Sequence, residues 1–266
     1  MKIACTIAGS DSCGGAGIQA DIKSMSANGV YAMSVITAIT AQNSQGVFAV
    51  QDVDPGIISK QIEVLFEDIN IDAVKIGMVS QIASIEAIAT SLAKYNYKNI
   101  ILDPVMVSKS GYKLLLPEAE NSLIKRLLPM ALVVTPNIPE AAVFVKMPIK
   151  SIADMRQAAL KIHALGPKYV LLKGGHLSDE IAVDILYDGN EFFVYKSKRI
   201  NTKNTHGTGC TLSSAIAANI AKGMAVPKAV EKAKQYITGA IVNSFSIGKG
   251  VGPTHHFYEF YSSNSK

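Results

Sequence analysis

The chain has 266 residues, 48% hydrophobic and 18% charged, a composition that suits a globular protein with a large core and argues against a disordered one. Its 26 basic and 21 acidic residues leave a net charge of +5, scattered without a run of lysines or arginines. That pattern argues against nucleic acid as a partner and suits an anionic small-molecule ligand.

Three cysteines, Cys5, Cys13 and Cys210, form no C-x-x-C pair. They argue against a disulfide framework or a structural zinc site and for a reducing compartment. The opening MKIACTIAGSDS is too short an apolar run for a signal peptide, and no segment approaches membrane-spanning length. The expected location is the cytoplasm, without a membrane partner.

In chain order, short apolar runs alternate with longer helical patterns. KIACTIAG, YAMSVITAIT, DAVKIG, NIILDPV, LVVTPN and KYVLLKGG read as strands. Most are apolar on both faces, as in a parallel sheet covered by helices. GAGIQADIKSMSANG, PGIISKQIEVLFEDI, IASIEAIATSLAKYN, PEAENSLIKRLL and SIADMRQAALKIHALG read as the intervening helices, the first ending on glycine and the second opening on proline. IAVDILYDGNEFFVYKSKRI breaks the series, because its DGN joins two alternating runs into a β-hairpin. GTGCTLSSAIAANIAKG and PKAVEKAKQYITGAIVNSF then make the last third helical. Without repeats or linker-like stretches, the expectation is one α/β domain over residues 1–266, with a mainly parallel central sheet and helices on both faces.

Ligands of such sheets collect at the carboxyl ends of the strands. Here those ends carry AGSDSCGGAG, TAQNS, KIGM, LDPVM, TPNIPE and KGGH, where polar and glycine residues concentrate. The richest stretch is NTHGTGCTLSSAIA. Its glycines lead into a helix whose unpaired N-terminal amides and partial positive charge suit an anion. Cys210 in that first turn is expected to ionise more easily than a free thiol; the bland alternative is a glycine turn with Cys210 as packing. Asp103 in LDP and Glu140 in NIPE each read singly as an ordinary cap or solvated carboxylate; together, as two acids at neighbouring strand ends, they suit holding Mg²⁺ through water. Lys173 in LKGGH is a candidate to neutralise a transferring phosphate, the alternative being an ordinary exposed strand-end lysine. Cradle, lysine, two carboxylates and a possible base are the parts that phosphoryl transfer uses. No P-loop or dinucleotide G-x-G-x-x-G spacing occurs, and the His255–His256 pair reads as surface.

Taken together, AGSDSCGGAGIQADIKS, VITAITAQNSQGV, KIGM, LDPVM, TPNIPEA, LLKGGH, NTKNTHGTGCTLSSAIA and GKGVGPTHHF carry a resemblance over nearly the whole chain. The sequence resembles the hydroxymethylpyrimidine/phosphomethylpyrimidine kinases of thiamine biosynthesis, in the ribokinase-like superfamily. The resemblance implies a three-layer ribokinase-like sandwich and ATP-dependent phosphorylation of 4-amino-5-hydroxymethyl-2-methylpyrimidine, then of its monophosphate. By motif, it implies an anion hole of Gly207, Thr208, Gly209 and Cys210, with Cys210 as candidate base. Lys173 contacts ATP phosphate, as do Thr208 and Gly209, and Asp103 and Glu140 lie on the Mg²⁺ side. Gln42 reads the pyrimidine, and Asp21, Gly9, Met78 and Val105 line its pocket. Relatives are commonly homodimers. Cys13 stands where many of them have serine.

Two rival readings remain at this point. A pyridoxal kinase takes a related hydroxymethyl heteroaromatic ring, against which Gln42 argues, because an amide pairs with an aminopyrimidine edge. A non-catalytic binder can use the same fold, but has no need of Asp103, Glu140, Lys173 and Cys210 together.

Overall fold

The computed structural model describes residues 1–108, 111–175 and 180–262. Strand β1 (Ile3–Asp11) leads through helix α1 (Gly17–Ala27) to the parallel strand β2 (Tyr31–Asn43), which turns back as β3 (Gly46–Asp52). Helix α2 (Pro55–Asp68) starts sharply: Pro55 presets its first turn, and the Asp54 carboxylate accepts from the amides of Gly56 (2.8 Å) and Ile57 (3.2 Å). Then come β4 (Ala73–Ile76), α3 (Ile82–Lys94) and β5 (Ile100–Leu102).

Residues 117–130 are helical but unevenly wound. A 3-10 turn (Pro117–Ala119) passes into α4 (Glu120–Ser122), a π-helical turn (Leu123–Leu127) and a second 3-10 turn (Leu128–Met130). The uniform helix expected there is broken up, and the last 3-10 turn contains Pro129, which has no N–H to give. Strand β6 (Val133–Val134), α5 (Ile138–Val145), α6 (Ile152–His163) and β7 (Tyr169–Lys173) follow. The expected hairpin is β8 (Ile181–Tyr187) and β9 (Phe192–Lys198), and α7 (Thr208–Ala221), α8 (Val226–Val242) and the short α9 (Tyr258–Ser262) complete the described chain.

The nine strands of the described residues form one sheet in the order β3-β2-β1-β4-β5-β6-β7-β8-β9. From β2 to β7 neighbouring strands pair in parallel; β3 at one edge and β8–β9 at the other are antiparallel. β3 has no counterpart in the sequence expectations. Its exposed residues, Phe48 among them at 69%, give it the pattern of an edge strand with a wet face.

The period-2 alternation of the strands divides the core between two faces. Ile100, Leu102, Val170 and Leu172 pack with Ile58, Ile62, Ile85, Ile88, Ala158 and Ile162 of α2, α3 and α6. Ile101, Val133 and Leu171 pack on the other face with Leu212, Ile216, Ala229 and Val230 of α7 and α8. The result is a helix–sheet–helix sandwich. The sheet order reverses beside β1, so a crevice opens at the carboxyl ends of β1 and β4.

Leu102 has no exposed surface. Leu102→Ala is expected to cost about 2–5 kcal/mol in urea unfolding. Ile57→Ala, at a residue 54% exposed, should change stability by less than about 0.5 kcal/mol.

Candidate active site

The carboxyl ends of the parallel strands border a cavity of about 810 Å³. Gly9, Gln42, Met78 and Val105 line one part of it; Asp103, Glu140, Lys173 and the 207–210 segment line the middle. Leu212, Ile237 and Ile241 give a further, apolar part. The site residues expected from the sequence thus converge, with one exception.

That exception is Asp21. It does not line the cavity but lies beneath it with no exposed surface. Its Oδ2 accepts from Thr6 Oγ1 (2.6 Å), its Oδ1 from Ser214 Oγ (2.7 Å), and Lys75 Nζ donates to both oxygens (2.9 and 2.8 Å). A carboxylate so fully occupied has no lone pair to spare for a substrate. Lys75 is the cavity-lining member of this pair.

The anion cradle has a visible physical basis. Gly207 precedes α7 at φ +76°, and a Cβ there would overlap the carbonyl oxygen of Gly15, so only glycine lets the two loops meet. Among the described residues, the amides of Gly209 and Cys210 in the first turn of α7 meet no acceptor. The Thr208 hydroxyl instead donates to Thr205 O at 2.7 Å, which tightens the turn. A Cβ on Gly209 would come within 3.4 Å of Asp103 Oδ2 and 3.5 Å of Lys173 Nζ, so the cradle faces this charged pair directly.

Asp103, 1% exposed, accepts on Oδ1 from Lys173 Nζ (3.0 Å) and Thr135 Oγ1 (3.1 Å), and on Oδ2 from Ser213 Oγ (3.2 Å). Burial opposes its charge, but Lys173, Lys75 and the hydroxyl donor hold its pKa below the usual carboxylate range. Glu140 forms a capping box with Asn137 at the start of α5, its Oε2 accepting from Asn137 N at 2.7 Å. Burial pushes Glu140 up to about 7, with Lys173 opposing the rise and Asp103 adding to it. Two buried carboxylates therefore share Lys173, and the second lacks a full counterion. That excess of negative charge suits a divalent cation, although among the described residues no group of three or more His, Cys, Asp or Glu side chains is set to hold a metal unaided.

Cys210 departs from expectation. The helix terminus favours a thiolate, yet burial wins and pushes the thiol up to about 11; Lys75 and the Gly17 amide oppose the rise, and Asp21 and Asp103 add to it. Without ligands the residue is a neutral thiol at pH 7, not a partly ionised one. His256 also differs: it is buried behind α7, its Nε2 lying 3.0 Å from Thr211 Oγ1, and is not a surface residue.

Asp11 and His206 line the cavity too, and although the motifs contained them, sequence reasoning passed over them. The Asp11 carboxylate accepts from the amides of Cys13 (2.8 Å), Gly15 (3.1 Å) and Ala16 (2.8 Å), and its Oδ2 lies 2.8 Å from His206 Nε2. It therefore shapes the 12–16 loop and ties it to the residue preceding the cradle. Gln42 lies alongside, its Nε2 3.3 Å from His206 Nε2 and its Oε1 3.3 Å from Thr40 Oγ1. Asp184 similarly fixes the turn after Lys173, accepting from Gly174 N (3.0 Å) and Lys234 Nζ (2.6 Å). His176, the last residue of the LKGGH motif, lies outside the described residues.

A glycine-led helix terminus facing a lysine and two carboxylates, at the carboxyl edge of such a sheet, defines an α/β phosphotransferase of ribokinase-like fold. More particularly, the chain belongs to the phosphomethylpyrimidine kinase family, whose profile matches residues 11–255. It is 51% identical over 262 residues to a hydroxymethylpyrimidine/phosphomethylpyrimidine kinase of Rhizobium meliloti (strain 1021), covering 97% of this chain and 98% of that one. The crystal structure of the phosphomethylpyrimidine kinase of Clostridium difficile 630 is 55% identical with a TM-score of 0.82, over 91% of this chain and 100% of that one. An ADP complex of Bacillus subtilis pyridoxal kinase superposes with a TM-score of 0.91 at 43% identity, covering 98% and 99% of the two chains.

Glu140 makes a pH-dependent contribution to stability. Its folded pKa of about 7 lies above the ordinary 4.5, so the contribution is complete below pH 4.5 and is lost as pH rises through 7. Glu140→Gln removes this titration. In urea unfolding, the parent's stability relative to the variant should fall between pH 4.5 and 7; a constant difference would contradict the assignment.

Proposed function

We propose that this protein transfers the γ-phosphoryl group of ATP to the hydroxymethyl oxygen of 4-amino-5-hydroxymethyl-2-methylpyrimidine, and then phosphorylates the resulting monophosphate, in thiamine biosynthesis. The observation that carries this reading is the pair of acceptor-free amides at Gly209 and Cys210, set against the Lys173–Asp103 pair. Phosphoryl transfer depends chiefly on such positioning and charge stabilisation.

In this reading Gly207, Thr208, Gly209 and Cys210 cradle the moving phosphoryl group and Lys173 offsets its charge. Asp103 and Glu140 would hold Mg²⁺ through water. When bound, Mg²⁺ neutralises phosphate charge and fixes the phosphate geometry. Gln42 pairs with the aminopyrimidine edge, while Gly9, Met78 and Val105 enclose the ring. The hydroxyl oxygen bonds to the γ-phosphorus as the bond from that phosphorus to the bridging oxygen breaks, its electron pair leaving with ADP. The hydroxyl proton passes to ionised Cys210. The protein acts as one kinase domain over residues 1–266 in the cytoplasm. It works as a homodimer, which would cover the exposed Phe48 (69%) and Ile39 (54%) of the β3–β2 edge. No described helix is long and apolar enough to cross a membrane.

Product analysis with ATP and Mg²⁺ tests the activity. The pyrimidine alcohol and its monophosphate should both be converted, with higher kcat/KM than pyridoxal. Preferential turnover of pyridoxal would favour the other kinase seen among the structural relatives, and absence of any turnover would leave a binding protein.

Gln42→Leu leaves the ring edge without its partner, at roughly 1–3 kcal/mol. Pyrimidine KM should rise while the KM for ATP stays nearly constant; an unchanged pyrimidine KM means another residue reads the ring.

Cys210→Ala should lower kcat by roughly 10²–10⁴, the usual range for loss of a general base. Below a thiol pKa of about 11, the thiolate fraction grows about tenfold per pH unit. The parent's kcat should therefore rise between pH 7 and 9, and that of Cys210→Ala should stay flat. Cys210→Asp, ionised throughout, should be flat as well but faster than alanine.

A further inference from the structure

Cys210 stands where several independent elements meet. It lies in the first turn of α7 and lines the cavity together with Gly17, the first residue of α1. Gly17 holds φ +56°, and a Cβ there would overlap the Gly9 carbonyl oxygen; only glycine lets α1 start this close to the end of β1. Ser214, one helical turn beyond Cys210 on the same face of α7, donates to Asp21 Oδ1 at 2.7 Å. The Asp21–Lys75 pair is therefore seated directly beneath the cysteine, with neither side chain exposed. Lys75 and Cys210 line the same cavity.

We propose that the buried Lys75–Asp21 pair sets the charge state of Cys210, making Lys75 and Asp21 positioning residues of the phosphoryl-transfer step. The two charges act in opposite directions. The Lys75 ammonium favours the thiolate; the Asp21 carboxylate, bonded to Ser214 one helical turn from Cys210, cancels part of that attraction. Asp103, and Lys173 from β7, also face the sulfur with opposite signs. Among these groups, the Lys75–Asp21 pair is the one with no hydrogen bond to the carboxylates assigned to Mg²⁺. Pairing the charges keeps the thiol neutral and unreactive at rest, while the ammonium supports the small thiolate fraction that takes the hydroxyl proton and returns to a neutral thiol.

The proposal rests on Cys210 acting as base for its catalytic meaning, but its test does not need turnover. The rate of iodoacetamide alkylation of the Cys210 peptide, read by mass spectrometry from pH 6 to 10, reports the thiolate. Cys5 is fully buried, its thiol pushed up to about 12 by that burial, and Cys13 is read as a separate peptide. Asp21→Asn leaves the ammonium unopposed and should speed alkylation at pH 7.5 about tenfold, a fall of about one pKa unit. Lys75→Met leaves the carboxylate unopposed and should slow it by a similar factor. A merely structural role moves both variants the same way, because either one breaks the buried pair. Shifts of opposite sign, in proteins with intact circular dichroism, establish the coupling; shifts of the same sign, or none, overturn it. Should Lys75→Met fail to fold, the midpoint of the alkylation–pH profile of Asp21→Asn decides: a shift to lower pH supports the coupling, and a uniform acceleration at every pH, as loosening alone would give, overturns it. If Cys210 is the base, the kcat–pH profile of Asp21→Asn moves to lower pH as well. An alkylation shift without a kcat shift keeps the coupling and removes the base.

Discussion

Asp21 is the point on which the rest of the structure depends. It belongs to α1, yet it accepts hydrogen bonds from β1 through Thr6, from β4 through Lys75 and from α7 through Ser214. Those partners tie two helices and two strands together on the face where α7 must deliver its first turn to the cavity. A buried ion pair of this kind adds little net stability over apolar packing, but removing one partner costs roughly 3–5 kcal/mol. Its retention in the core therefore makes sense as a means of fixing position and charge beneath the cradle. Asp11 does the corresponding work above it, gathering the 12–16 loop and His206 onto one carboxylate.

The site shows two electrostatic effects in competition, and the outcome differs by residue. At Asp103 the donors Lys173, Thr135 and Ser213 outweigh burial, and the acid stays ionised. At Glu140 burial wins, since Lys173 is already bonded to Asp103. At Cys210 burial wins again, over both a helix terminus and a nearby ammonium. A helix terminus contributes about 0.3–1 kcal/mol at exposed sites, whereas desolvation of a fully buried group shifts a pKa by up to ~3–5 units. The neutral resting thiol follows from that difference in size. It also fits a reaction whose loose transition state asks little of a base until the bond to phosphorus has largely formed.

Much of this was legible in the sequence. Doubly apolar strands such as NIILDPV fix a covered parallel sheet, DGN marks the late hairpin, and glycine-rich strand ends mark the cavity edge. What was not legible has particular causes. β3 is a wet edge strand following NSQG, without the apolar density that drew attention to the central strands. The broken winding at 117–130 reflects a winding change that helical periodicity alone does not reveal. Asp21's place and Cys210's ionisation were misread because motif spacing gives neighbourhood, not depth: one is fully buried without lining the cavity, and at the other desolvation outweighs the helix terminus. One signal was present and unread. Lys75 interrupts the apolar run DAVKIG in the middle of a buried strand, and a lysine there requires a buried carboxylate.

The central claim is that the first turn of α7 receives the phosphoryl group beside Cys210, between the Lys173–Asp103 pair and the pyrimidine pocket. A crystal structure with a non-hydrolysable ATP analogue, Mg²⁺ and the aminopyrimidine alcohol tests it most directly. The account predicts γ-phosphate oxygens within hydrogen-bond distance of the Gly209 and Cys210 amides, and the substrate hydroxyl between Cys210 Sγ and the γ-phosphorus. A γ-phosphate bound away from those amides, or a hydroxyl out of reach of Cys210, would contradict it.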